Sequence, residues 1–239
     1  EALFGEALAL SPGLRDRILL IGKCGIKLVS PQRPHHRLKS YDTSAAHMMA
    51  SVEQSLRALH TDRLDLLLIH RPDALMDAAE VAGTVERLKR EGKVLHFGVS
   101  NFTPSQFALL DACVPLATNQ VELSPLRLDV LHDGTLDQAM RLDRRPMIWS
   151  PLAGGRLLTG EDDAARRVQR VLSQVATRLG CTPATVAYAW VLRHPSRPIP
   201  ITGSRRIEAL REALAALELR LDRETWYEIW QAGSGHEVA

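Results

Sequence analysis

The 239 residues carry 30 Lys and Arg against 28 Asp and Glu, a net charge of +2. So even a balance gives no basic footprint for nucleic acid or an anionic membrane, and neither is expected as a partner. Hydrophobic residues at 45% and charged residues at 24% describe a globular domain rather than a disordered chain. No apolar run approaches the ~20 residues of a membrane-spanning helix. The longest runs, Ile18–Ile21 and Leu66–Ile69, have the length of buried strands. Cys24, Cys113 and Cys181 leave one thiol over under any disulfide scheme, and no signal peptide opens the chain. Together these point to a reducing, cytoplasmic setting. The opening Glu1–Leu8 lacks Met and reads like the middle of a helix, so the sequence is expected to lack its beginning.

Short apolar strands alternate with amphipathic helices along the chain. No linker or repeat divides them, which predicts one domain over residues 1–239. A strand over Arg17–Lys23 and a loop lead to a helix over Asp42–His60. Strand Leu64–His70 precedes a helix over Asp77–Glu91 that Gly92 stops. Strand Val94–Val99 ends in Ser100-Asn101-Phe102, with Thr103 as N-cap and Pro104 as the first helical residue. Strand Ala117–Val121, a helix over Thr135–Asp143 and strand Pro146–Ser150 come next. Helices over Asp162–Leu179 and Pro183–Arg193, strand Pro198–Thr202, and helices over Arg205–Leu217 and Arg223–Gln231 complete the chain.

This alternation implies a parallel sheet, because each crossover must return over a sheet face. The doubly wound sheet and the closed (β/α)₈ barrel compete. No G-x-G-x-x-G follows any strand, and polar residues stand just after nearly every strand, where a barrel gathers its site on one face. The barrel is favoured. It needs eight strands, whereas six are legible, so two are either unrecognised or precede Glu1.

Lys23 and His70 occupy matching positions at the ends of consecutive strands. Either alone reads as a solvated or hydrogen-bonded strand-end residue. Together they suggest acid–base work, since a lysine can depress the pKa of a nearby acid and a histidine can bond a substrate oxygen. Gly203-Ser204-Arg205-Arg206, after the last strand, offers backbone N–H groups, a helix start and two guanidinium forks to a phosphate. A capped helix with solvated arginines is an equal reading. Gly154-Gly155-Arg156, after Trp149-Ser150-Pro151-Leu152, is a second phosphate-compatible loop or a plain turn. Two such loops make a dinucleotide more plausible than one phosphate. Trp149 is either core or a flat face for a ring, and Ser100, Asn101 and Gln120 either cap helices or bond an amide. His35, His36, His47 and His60 show no metal-ligand spacing, and no metal is expected. Cys24 reads as a small buried residue rather than a reactive thiol.

These motifs resemble an aldo-keto reductase, of the bacterial branch carrying Lys23-Cys24-Gly25 and His70-Arg71-Pro72-Asp73. The resemblance also rests on Gly98-Val99-Ser100-Asn101-Phe102, Asn119-Gln120-Val121-Glu122, Trp149 to Arg156 and Ile199 to Ser204, and it runs from Glu1 to about Gln231. It implies an α/β fold, a (β/α)₈ TIM barrel whose first two strands are absent from this sequence. It implies reduction of aldehydes and ketones by NADP(H), with Lys23 and His70 catalytic. Ser100, Asn101 and Gln120 then match residues holding the nicotinamide amide, and Trp149 an aromatic that stacks on the ring. Ser150, Pro151, Leu152, Gly154, Gly155 and Arg156 match the pyrophosphate loop. Gly203, Ser204, Arg205, Arg206 and Glu212 match the adenosine end.

The family's catalytic Asp and Tyr precede the lysine and have no counterpart here, so the 239 residues alone are expected to be inactive. Tyr41 is a weak substitute for the acid. Ala209 and Ala213 stand where relatives often carry Gln and Asn, which thins the adenine contacts. A small carbonyl substrate and a monomeric state are expected. The alternative is an NADP(H)-binding protein without turnover, which senses the cofactor.

Overall fold

The structure is a computed structural model, and it describes residues 1–11, 13–31 and 36–238. The chain forms two compact units, Glu1–Asn119 and Gln120–Ala239.

The first unit opens with helix α1 (Ala2–Ala9), as Glu1–Leu8 suggests. A Cβ on Gly5 would collide with the Ala58 carbonyl, so only glycine lets α1 lie this close to the next helix. The strand expected over Arg17–Lys23 is instead β1, Ile21–Cys24, behind a single helical turn at Arg15–Arg17. Arg15 causes the shortening. Its guanidinium pairs with Asp65 at 2.9 Å and bonds Thr61 Oγ1 and the Arg63 carbonyl, each also at 2.9 Å. Asp65 in turn accepts from the Leu20 N–H at 2.7 Å.

The expected loop after β1 contains a small antiparallel hairpin, β2 (Ile26–Lys27) with β3 (Ser40–Tyr41). Helix α2 (Ala45–Leu59) is capped by Ser44 and stopped by His60 in the left-handed conformation. Strand β4 (Leu64–Ile69) leads to α3 (Ala78–Arg90), where Asp77 accepts from the Ala79 and Glu80 N–H groups. Strand β5 (Val94–Ser100) precedes α4 (Pro104–Asp111). There the Thr103 hydroxyl accepts from the Gln106 N–H while the Gln106 side chain accepts from the Thr103 N–H, a reciprocal cap that satisfies two orphan donors. β1 pairs β4, and β4 pairs β5, all parallel.

The second unit contains β6 (Asn119–Glu122), α5 (Thr135–Arg141), β7 (Met147–Trp149), α6 (Arg156–Thr159), α7 (Asp163–Leu179) and α8 (Pro183–Leu192). It ends with β8 (Ile199–Pro200), α9 (Ile207–Ala215) and α10 (Arg223–Ser234). β7 pairs both β6 and β8 in parallel. Ala117 and Thr118, expected in β6, precede it, although they still bond β5 through Ala117 N to Phe97 O and Val99 N to Thr118 O. The core packs Ile148 against Leu172, Val175, Val186 and Trp190. Trp190 stacks on Trp226 at 5.0 Å, and each indole N–H donates to the other residue's carbonyl at 3.0 Å. That arrangement buries the Trp190 ring against a half-buried Trp226 without orphaning either donor.

Helix α9 starts later than Arg205. Arg206 is extended, at φ −87 and ψ 131, while Ser204 Oγ accepts from its N–H at 3.2 Å. Arg206 is therefore the N-cap, and Arg205 lies on the loop.

Candidate active site and cofactor cavity

Strand register decides which side chains share a face. Lys23 pairs with Leu68 and Leu68 with Gly98, so these three point the same way. Two residues further on, His70 and Ser100 return to that face at the carboxyl ends of β4 and β5. Only glycine fits between them at 98, because a Cβ there would come within 2.8 Å of the Thr118 carbonyl. Asn101 adopts a left-handed conformation at the end of β5. Its amide donates to Ser100 Oγ at 2.8 Å and to the His70 carbonyl at 3.4 Å, tying adjacent strand ends together.

Lys23 and His70 line one cavity of about 480 Å³, together with Cys24, Gly25, Lys39 and Ser51 among others. Burial holds the Lys23 pKa below its ordinary value. Burial also lowers that of His70, and the charges of Lys23, Arg71 and Lys39 lower it further. Among the described residues Lys23 has no carboxylate partner. A half-buried ammonium beside a neutral imidazole can therefore spend its field on a third group. The buried Cys24 thiol is pushed up to about 12, which makes it inert. Tyr41, 40% exposed on the hairpin, is not on the cavity wall. His36 and His47 are on that wall, whereas His35 lies outside the described residues.

The second unit has its own cavity, of about 540 Å³, lined by Trp149, Ser150, Pro151, Leu152, Gly154, Gly155, Gly203, Ser204, Arg206 and Glu212. Gln120 is one strand away, aligned with Met147 and bonding its sulfur at 3.8 Å. By register Gln120 shares the face of Trp149. Arg156 and Arg205 are not on the cavity wall, and Arg156 is paired with Asp162 at 2.9 Å.

Three features suit this cavity to a dinucleotide. No atom lies within 4 Å of where a Cβ would stand on Gly154, Gly155 or Gly203, so their backbone is open to a ligand. Gly154 and Gly155 hold left-handed conformations at φ 65 and 98, which favour glycine. The buried hydroxyl of Thr202 has no hydrogen-bond partner among the described residues, and Thr202 lines the cavity. A buried orphan hydroxyl costs free energy until a ligand meets it. Sequence reasoning passed over Thr202, Tyr188, Leu158 and Ile201, all on this wall.

The class follows from the chain as a whole. It belongs to the aldo/keto reductase family, whose profile matches residues 1–233. The family is one of nicotinamide-dependent oxidoreductases, and its fold is the (β/α)₈ barrel type of the α/β class. Among its relatives, the oxidoreductase YdhF of Escherichia coli is 51% identical over 241 residues, covering 100% of this chain and 80% of its own length. A 6-dehydroglucose reductase of Agrobacterium fabrum is 42% identical, with the same 100% and 80% coverage. Among solved structures, a thermostable aldo-keto reductase in complex with the inhibitor epalrestat superposes with a TM-score of 0.78 at 27% identity. That match covers 97% of this chain and 77% of the other. Among the described residues no helix is long and apolar enough to cross a membrane.

Proposed function

We propose that the protein reduces aldehydes or ketones to alcohols with NADPH, and that Lys23 and His70 serve the reacting carbonyl. The observation that carries this reading is their shared face and shared cavity at neighbouring strand ends. When bound, NADPH supplies hydride to the carbonyl carbon.

This chain's residues would orient the carbonyl and set the charge around it. His70, its pKa held down by burial, is neutral at pH 7 and can donate one N–H to the carbonyl oxygen. Lys23 is half-buried and unpaired among the described residues, so its charge favours the ionised form of a neighbouring acid and eases proton release to the product oxygen. In this reading that acid is a tyrosine which the 239 residues do not supply.

Ser100, Asn101 and Gln120 would hold the nicotinamide amide, and Trp149 would stack on its ring. Open backbone at Gly154, Gly155 and Gly203 suits the phosphates, with Arg206 and Glu212 on the wall for the adenosine end. Arg205 and Arg156 then act from outside the wall. The relative named for 6-dehydroglucose supports a polar carbonyl compound as substrate. The test is loss of NADPH absorbance when the intact protein meets a panel of aldehydes and ketones. Tight NADPH binding with no carbonyl reduced would replace this reading by that of a cofactor sensor.

A further inference from the structure

The cavity beside Lys23 is lined on one side by the β2–β3 hairpin segment, which contributes His36 and Lys39. With Lys23, His47 and His70 this places five basic side chains on one wall. Among the described residues the one carboxylate on it, that of Glu1, already accepts from Ser55 Oγ at 2.8 Å. At the base of the hairpin Lys27 pairs with Asp42 at 3.3 Å, and Asp42 also accepts from the Ser44 hydroxyl at 2.6 Å. Lys39 has no such partner among the described residues, and its charge reaches the His70 ring. An uncompensated cation facing a reaction cavity stabilises a bound anion.

We infer that the carbonyl substrates selected by this site carry an anionic group, a carboxylate or a phosphate, seated against Lys39. This rests on the reductase reading and narrows it. The His36 ring donates from Nδ1 to the Leu28 carbonyl at 2.8 Å, which fixes the ring on the same segment and leaves Nε2 for a second contact. Lys39 is exposed, so removing its charge takes nothing from the core.

The experiment compares matched substrates on the intact protein with NADPH. Succinic semialdehyde is set against butanal for a carboxylate, and phosphorylated glyceraldehyde against glyceraldehyde for a phosphate. The anionic member of at least one pair should have the higher kcat/KM, by about tenfold or more. Lys39→Gln should remove that preference, and Lys39→Arg should keep most of it. Binding of succinate and of inorganic phosphate is measured by calorimetry in parallel, without any carbonyl.

Equal kcat/KM within both pairs overturns the inference and leaves the reductase reading standing. Anion binding that is lost in Lys39→Gln, with no carbonyl reduced, shows an anion site at Lys39 but ends the reductase reading and with it the inference about carbonyl substrates. The absence of both a preference and anion binding likewise overturns the inference.

Discussion

The two cavities differ in what builds them. That of the first unit is made of ionisable side chains projecting from strand ends, Lys23 and His70 foremost, with Lys39 and His36 from the hairpin segment. That of the second unit joins open backbone at three glycines to the Trp149 indole, the Thr202 hydroxyl and the charged ends of Arg206 and Glu212. Charged side chains in a half-buried wall can shift and transfer protons. Open backbone can only hold a ligand. On the proposed function this contrast separates chemistry from binding, and substitutions in the two cavities should therefore fail in different ways.

The largest effect should come from Lys23→Met. A proton-transfer contribution of this kind is worth about 10²–10⁴-fold, and it should be lost from kcat. NADPH affinity should stay close to the original. A variant that binds NADPH weakly but turns over normally once saturated would erase the division.

Next comes the ribose phosphate that distinguishes NADPH from NADH. Arg206 is on the cavity wall and Arg205 is not, so the two should separate. Arg206→Ala should weaken NADPH binding by about 1.5–3 kcal/mol, one to two decades, with less change for NADH. Arg205→Ala should do less. Equal losses for both cofactors, read by fluorescence titration, would show that Arg206 does not read the phosphate.

Trp149→Ala should act on binding alone and more weakly. Trp149 is half-buried at the end of β7, and an aromatic pair is worth about 0.5–1.5 kcal/mol beyond its buried area. The Kd for NADPH should rise by several-fold while saturated turnover holds. A fall in kcat with unchanged Kd would move Trp149 into the chemistry.

Much of the fold is legible in the sequence alone. Leu64–Ile69 announces a buried strand by composition, and Thr103 with Pro104 announces a helix start whose cap the structure contains. Lys23 and His70 stood out because charges directly after apolar runs need a reason. The hairpin of β2 and β3 did not stand out, since two-residue strands carry no periodicity. Its Lys39 looked like any loop lysine. Thr202 was invisible for another reason: a threonine at a strand end is unremarkable until its burial and lack of a partner are both known. The start of α9 falls later than the sequence suggests because Arg206 is extended, a backbone choice that hydrophobic periodicity does not encode.

The smallest effect concerns acid, and it gives each unit a signature of its own. His70 in the first unit and His194 in the second both have pKa values below the ordinary one, burial being the first cause in each. Positive neighbours add to the shift at His70, whereas Asp137 opposes it at His194. The Ser196 N–H donates to His194 Nδ1 at 3.2 Å, so that nitrogen presents a lone pair and the neutral ring is the one the fold holds. The sign follows from linkage. Just below ~6.5 the unfolded chain takes up protons at these histidines while the folded chain does not. Stability is therefore complete above that pH, falls as pH drops through it, and levels off once the lower folded values are passed. The slope is bounded at about 1.4 kcal/mol per pH unit for each histidine. His194→Asn keeps an acceptor for the Ser196 N–H and cannot titrate, so its urea midpoint should fall less on acidification than that of the unsubstituted protein. The share that remains belongs in part to His70 and should shrink in His70→Asn. Identical acid dependence in all three proteins would mean that neither ring stays neutral in the folded state.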